Sequence, residues 1–144
     1  MLTRTADPFG NRIEYAYKAN RGDEGPHHWN QPQLKQIRYA DYVDSSGKIK
    51  FLVTATFNYE LRPDPFSEYR PGFEIRTTQR CSEIVIETHA DADRKVRTYQ
   101  FVYQGDTLNG VSLLNQIRVV GHDDGKNQGL PPFEFVFKVL IHSE

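Results

Sequence analysis

The sequence predicts an all-β fold: about eight mostly antiparallel strands in a meandering sheet or sandwich. Three observations carry this. Val, Ile, Thr, Phe, Tyr and Trp number 45 against 17 Ala, Leu and Met, and β-branched and aromatic side chains suit a pleated surface better than a helix. Several segments alternate apolar and polar residues with a period of two. No stretch of 11 or more residues holds a 3.6-residue period. The links between segments are too short for helical crossovers, so hairpin connections follow.

Asp7-Pro8-Phe9-Gly10-Asn11 is the first turn signal. Arg12 to Lys18 then alternates, with Ile13, Tyr15 and Tyr17 on one side. Residues 19–33 are polar, hold two Gly and two Pro, and read as a long surface loop. Gln33 to Tyr42 resumes a strand, and the parity change between Leu34 and Ile37 predicts a bulge. Asp44 to Lys48 is a hairpin turn, and Phe51 to Tyr59 is the cleanest alternating run.

Three prolines between Arg62 and Gly72 prevent continuous ladder pairing there. Strands are expected at 73–77, 83–88, 96–103 and 113–120, with Ala90 to Asp93 a tight turn and 105–112 a loop. After a turn-rich stretch at 121–129 and Pro131-Pro132, the alternation of Phe133, Phe135, Phe137, Val139 and Ile141 predicts a closing strand.

With 144 residues the chain reads as one domain, 1–144, long enough for an independent core. A net charge of -1 argues against a nucleic-acid binder or a polybasic membrane binder. No run approaches the ~18 apolar residues of a membrane span, and Met1 to Thr5 lacks the apolar core of a signal peptide. The single cysteine, Cys81, excludes an intrachain disulfide and any multi-cysteine metal site.

Chemistry-bearing motifs are sparse, and no catalytic, metal or cofactor-binding residue is assigned. His27-His28-Trp29 is a contact candidate for a ligand or partner, although adjacent histidines on extended chain point apart and do not chelate. His122 to Asn127 lacks the ligand spacing of a calcium loop and reads as a solvated turn. An enzyme would need a pocket joining His89 or His122 to an acid. The segment from Arg62 to Thr77 interleaves arginine with aromatics and acids. Its balanced charge favours a structural clamp of Arg62, Asp64, Phe66, Tyr69, Arg70 and Phe73 over a nucleic-acid surface.

That segment, "RPDPFSEYRPGFEIRTTQRC", resembles a stretch of the B components of insecticidal toxin complexes and of SpvB-like virulence proteins, within the wider RHS/YD-repeat group. "DPFGNRIEYAY", within 7–18, looks like a YD-type repeat, and "QLKQIRYAD", "KVRTYQFVYQ", "SLLNQIRVVGHDDG" and "LPPFEFVF" follow in the family's order. The resemblance implies a noncatalytic sector of a β-sheet shell that encloses a toxic effector region, part of a larger secreted bacterial toxin. It implies contact with other β-modules of the same polypeptide or with a toxin-complex partner subunit, and no cofactor. An excised sector would expose sheet edges that could self-associate. The alternative is a free-standing β-sandwich that binds carbohydrate or protein through His27, His28 and Trp29.

Overall fold

The computed structural model describes residues 1–105, 108–123 and 125–137. The nine strands are β1 (Arg4–Ala6), β2 (Arg12–Glu24), β3 (His27–Val43), β4 (Ile49–Glu68), β5 (Ile75–His89), β6 (Asp93–Gln104), β7 (Leu113–Asp123), β8 (Lys126–Gly129) and β9 (Phe133–Glu134). All belong to one antiparallel sheet in the order β1 to β8, and β9 pairs with β7 beside β8. The all-β meander expected from the alternation is therefore what forms. No helix occurs among the described residues.

Several boundaries differ from the sequence reading. The expected loop at 19–33 is a long hairpin in which Ala19 to Glu24 pair with Pro32 to His27 and only Gly25 and Pro26 turn the chain. Gly25 has φ +56, the left-handed conformation such a short turn requires. Pro32 is tolerated because the pairing of β3 with β4 begins only at Gln36, so this half of the strand has one ladder partner. The strands expected at 73–77 and 83–88 are one strand, β5. β4 runs on to Glu68, yet its register with β5 breaks between Leu61 and Phe66, across two prolines. The closing strand is short: β9 ends at Glu134, and Val139 and Ile141 lie outside the described residues. β1, Arg-Thr-Ala, is too short to show alternation in the sequence.

The bulge expected between Leu34 and Ile37 is present. Tyr17 pairs with Leu34 and Ala16 with Gln36, leaving Lys35 as the extra residue. The same shift occurs between Asn58 and Tyr59, opposite Ser82, and between Val102 and Tyr103, opposite Asn115.

Register sorts the side chains into two faces, because directly opposed residues share a face. One face carries the rows Tyr15–Ile37–Ala55–Ile86 and Phe57–Ile84–Tyr99–Val119, running across the strands. The other carries Glu14–Arg38–Thr54–Glu87–Lys95 and Asn58–Glu83–Gln100–Arg118. The first face is mainly apolar, with Arg97 continuing its first row beyond Ile86, and the second is mainly polar and charged, with Val85 and Val120 in its Thr56–Val85–Thr98–Val120 row.

Among the described residues, nothing packs over the mainly apolar face. Strands contact their sheet neighbours, with β3 also touching β5, and no second sheet packs on the first among the described residues. The β-sandwich alternative is thus corrected to a single layer. The reason is area: a sandwich needs two apolar faces, and this sequence makes one. Among the described residues only Ala55, Val85 and Val119 of the apolar set, and Thr54, Arg76 and Thr98 of the polar set, are buried. The accessible surface is 10690 Å², about 40% more than the roughly 7,600 Å² of a compact monomer of this mass. The expectation of an independent core fails for the same reason.

Candidate functional site

Two polar clasps hold the sheet where its ladders break. The first centres on Glu74, just before β5. Its Oε1 accepts hydrogen bonds from His27 Nδ1 at 2.6 Å and from Ser67 Oγ at 2.5 Å, and its Oε2 accepts one from the His28 backbone N–H at 3.1 Å. The Tyr69 side chain adds a smaller contribution in favour of the charged form. The β2–β3 hairpin tip is thereby fastened to the β4–β5 hairpin tip. The donors, Ser67 foremost, favour the ionised carboxylate against the opposing effect of desolvation and hold Glu74 down at about 2.

Arg76 lies beneath this clasp and is one of the few buried charges. It donates to Ser67 Oγ at 3.1 Å, pairs with Glu24 at 3.6 Å, and sits 5.8 Å from the centroid of the Trp29 ring. Trp29 crosses the strand pair onto its partner Gly22. A Cβ there would stand 2.1 Å from Trp29 Cζ2, so only glycine leaves room for the ring. Trp29 Nε1 donates to Asn20 Oδ1 at 3.4 Å, and Asn20 Nδ2 donates to Thr78 Oγ1 at 3.3 Å. The outer edge of the ring borders a groove of about 390 Å³ with Arg21, Arg62, Pro65 and Gln79.

The second clasp centres on Asp64, inside the unpaired stretch of β4. Arg62 donates to it at 3.0 Å. Ser112, 48 residues away in the connection before β7, donates both its backbone N–H at 2.7 Å and its hydroxyl at 2.9 Å. The Arg62 guanidinium lies 5.0 Å from the centroid of the Phe66 ring. Arg62 first, then Ser112, overcomes desolvation and holds the Asp64 carboxyl well below the usual carboxylate range. The prolines that stop the ladder at 62–65 free this segment to reach sideways.

The sequence-selected residues therefore divide. Arg62, Asp64 and Phe66 come together around Ser112, and Tyr69 joins Glu74. Phe73 is 64% exposed, and Arg70 points to solvent at 91% exposure with Glu68 its ion-pair partner. His27 and Trp29 face inward to the first clasp, whereas His28 pairs with Asp23 at the surface. Ser67, Glu74, Ser112 and Gly22 were not singled out in the sequence. Only the parity of Gly22 against Trp29 across a recognised hairpin could have signalled one of them.

His89 and His122 make parallel arrangements on the polar face. His89 Nε2 meets the Thr54 hydroxyl at 2.9 Å while its Nδ1 meets Asp93 at 2.6 Å. His122 Nε2 meets the Thr98 hydroxyl at 2.8 Å while its Nδ1 meets Asn127 at 2.7 Å. Each histidine ties a strand end to the strand on either side. At His89 the order hydroxyl, imidazole, acid resembles a nucleophile with its base, and at His122 an amide stands in place of the acid, but Thr54 and Thr98 are only 7% and 6% exposed. A substrate carbonyl would have to enter the sheet to reach either one. Cys81 donates weakly to the Glu83 carbonyl at 3.5 Å, and burial raises its thiol pKa, away from the reactive thiolate. No group of three metal-ligating side chains occurs among the described residues.

A one-layer, two-faced sheet stitched by polar clasps defines a structural β segment. Residues 37–90, which include Asp64, Ser67 and Glu74, match the family described as SpvB, Salmonella virulence plasmid 65kDa B protein. The stretch that carries the centres of both clasps is thus the part of the chain that is similar in sequence to that family. Its fold is similar to the N-terminal domain of the effector protein SpvB from Salmonella typhimurium strain LT2, with a TM-score of 0.73 and 20% identity, covering 85% of this chain and 51% of that one. It is also similar to a chain in the crystal structure of TcdB2-TccC3-Cdc42, with a TM-score of 0.73 and 24% identity, covering 94% of this chain and 9% of that one. The chain spans about half the length of the first structure and a small part of the second. At these identities the likeness shows the fold. A search of curated proteins found no match.

Both clasps depend on carboxylates held below their ordinary values, so each stabilises the fold at pH above the unfolded value and less so in acid. Glu74 contributes fully above the ordinary 4.5 of a free glutamate, and its contribution fades as pH falls from there to about 2. Asp64 follows the same sign below 3.8. In urea melts, the midpoint of the chain is expected to fall below pH 4.5, and Glu74→Gln is expected to flatten the upper part of that fall. An identical pH profile for the variant would show that Glu74 is not the group titrating.

Proposed function

We propose that this chain is a noncatalytic wall segment of an SpvB-like, toxin-complex B-type RHS shell that carries or encloses a toxic effector region. The observation that carries the reading is the uncovered apolar face on a sheet with about 40% more surface than a compact monomer of its mass. A shell wall needs that form: one face packed against further polypeptide and one face wet. The likeness to toxin-associated proteins in sequence and fold supports the same reading.

In this reading residues 1–144 act as one β unit, and 7–18 is a YD-type strand within it. The partners are neighbouring β-modules of the same polypeptide or a toxin-complex subunit, and the assembly works outside the bacterial cell. No nucleic acid or cofactor takes part. The two clasps keep the wall closed where prolines and bulges interrupt its ladders.

The test is electron microscopy of the whole polypeptide encoded around this segment. A hollow β-shell with residues 1–144 in its wall is expected. A compact domain folded back on itself, with the apolar face buried inside 1–144, would overturn the reading.

A further inference from the structure

Three bulges, one in each of the β2–β3, β4–β5 and β6–β7 hairpins, share one geometry, which the bulge at Val96 between β5 and β6 does not. In each hairpin an aromatic-x-Tyr segment pairs with a segment whose fourth residue is Ile: Tyr15, Ala16 and Tyr17 oppose Ile37, Gln36 and Leu34. Phe57, Asn58 and Tyr59 oppose Ile84, Glu83 and Cys81. Phe101, Val102 and Tyr103 oppose Ile117, Gln116 and Leu114. The extra residue is always the second of the returning segment: Lys35, Ser82 or Asn115. Side-chain bonds repeat as well. Arg38 donates to Gln36 at 2.9 Å and Arg118 to Gln116 at 2.7 Å. Gln36 donates to Thr56 and Gln116 to Glu134, both at 3.1 Å.

Each returning segment also pairs onward in one register. Ile37 opposes Ala55, Ile84 opposes Tyr99, and Ile117 opposes Phe133. Two and four residues after Ala55 come Phe57 and Tyr59; after Tyr99 come Phe101 and Tyr103; after Phe133 come Phe135 and Phe137.

The geometry points to a chain made of three copies of one hairpin unit followed by the opening strand of a fourth, with the outer edge of 133–137 a docking site for a strand of the Leu-x-Gln-Ile-Arg type. The incoming strand places Ile opposite Phe135, Gln opposite Val136 and Leu opposite Phe137, with one bulged residue between Leu and Gln. Phe135 donates its N–H to the Asn115 carbonyl at 2.8 Å, so it faces β7. By alternation the Val136 N–H faces the outer edge, and Val136 is 87% exposed. The site stands on register alone and does not rest on the toxin-shell reading.

A fluorescent peptide with the sequence of residues 111–121 tests this in anisotropy titrations against the full chain. Saturable binding is expected. It should weaken at least tenfold when Asn115 is deleted from the peptide, because the lost bulge sends Ile to the wrong face. Val136→Pro in the chain, which removes the outward donor and leaves the β7 pairing intact, should weaken it as much, with an unchanged far-ultraviolet spectrum. A Phe135→Asp, Phe137→Asp chain should do the same if the proline variant does not fold. Absence of saturable binding overturns the docking site. Equal binding by the deleted peptide, or by a folded edge variant, shows nonspecific adhesion or exchange into β7 and overturns it too.

Discussion

Replacing Gly22 with alanine is expected to cost about 1–3 kcal/mol of stability, the usual penalty for overpacking a filled site. The added methyl would lie 2.1 Å from the Trp29 ring, which cannot retreat without disturbing Arg76 and the Asn20 bond. The ring must swing toward the groove or the hairpin tip must open. Either movement exposes the indole. Trp29 is the sole tryptophan, so its emission reports the event directly. A red shift in the native emission of Gly22→Ala, together with a lower urea midpoint, is expected. Unchanged emission would mean that the ring does not rest on Gly22.

Removing the Asp64 carboxylate should cost more. Asp64→Ala leaves Arg62, whose side chain is 14% exposed, without its counter-charge, and strips both Ser112 donors of their acceptor. Loss of one partner from a largely buried pair costs about 3 kcal/mol or more, and the orphaned donors add to that. Asp64→Asn should recover part of the loss, since an amide oxygen still accepts from Ser112. Arg70→Ala serves as the control: at 91% exposure its pair with Glu68 contributes little, and a change within about 0.5 kcal/mol is expected. Thermal denaturation of the three variants side by side checks this ordering. A greater loss for Arg70→Ala than for Asp64→Ala would reverse it.

Much of the fold was legible because alternation is a local signal. Phe51 to Tyr59 and Val96 to Tyr103 announce their strands without reference to anything else. The bulge at Lys35 was legible too, since an added residue leaves a parity error between Leu34 and Ile37. The β2–β3 hairpin tip was not. Asn20, Arg21, Gly22 and Asp23 look like loop residues by composition, and they form ladder because Trp29 on the facing strand and Glu74 at the β4–β5 tip anchor the hairpin tip. Polarity there follows from the hydrated face, not from irregular backbone. Cys81 and Ser82 split β5 in the sequence reading, because a bulge breaks periodicity without breaking the strand.

The site was less legible than the fold. Arg62, Asp64 and Phe66 lie within five residues, so their mutual pairing could be read from spacing. Ser112 is reached only through the folded sheet, and a serine in a loop gives no signal of its own. Nothing marks Glu74 among the acids of its segment, because two of its donors, His27 Nδ1 and the His28 N–H, reach it from the far hairpin. Arg70 illustrates the converse error: the motif placed it among clamp residues, but the turn closed by Gly72 leaves its side chain in water.

The meander has a mechanical consequence. Each strand is held mainly by the strands beside it in sequence, so tension applied to the ends would peel the sheet one hairpin at a time instead of shearing it as a block. The Asp64–Ser112 and Glu74–His27 clasps are the exceptions, since each spans strands that peel at different moments. They would act as ratchet stops, and an extension trace should show its force peaks where they break.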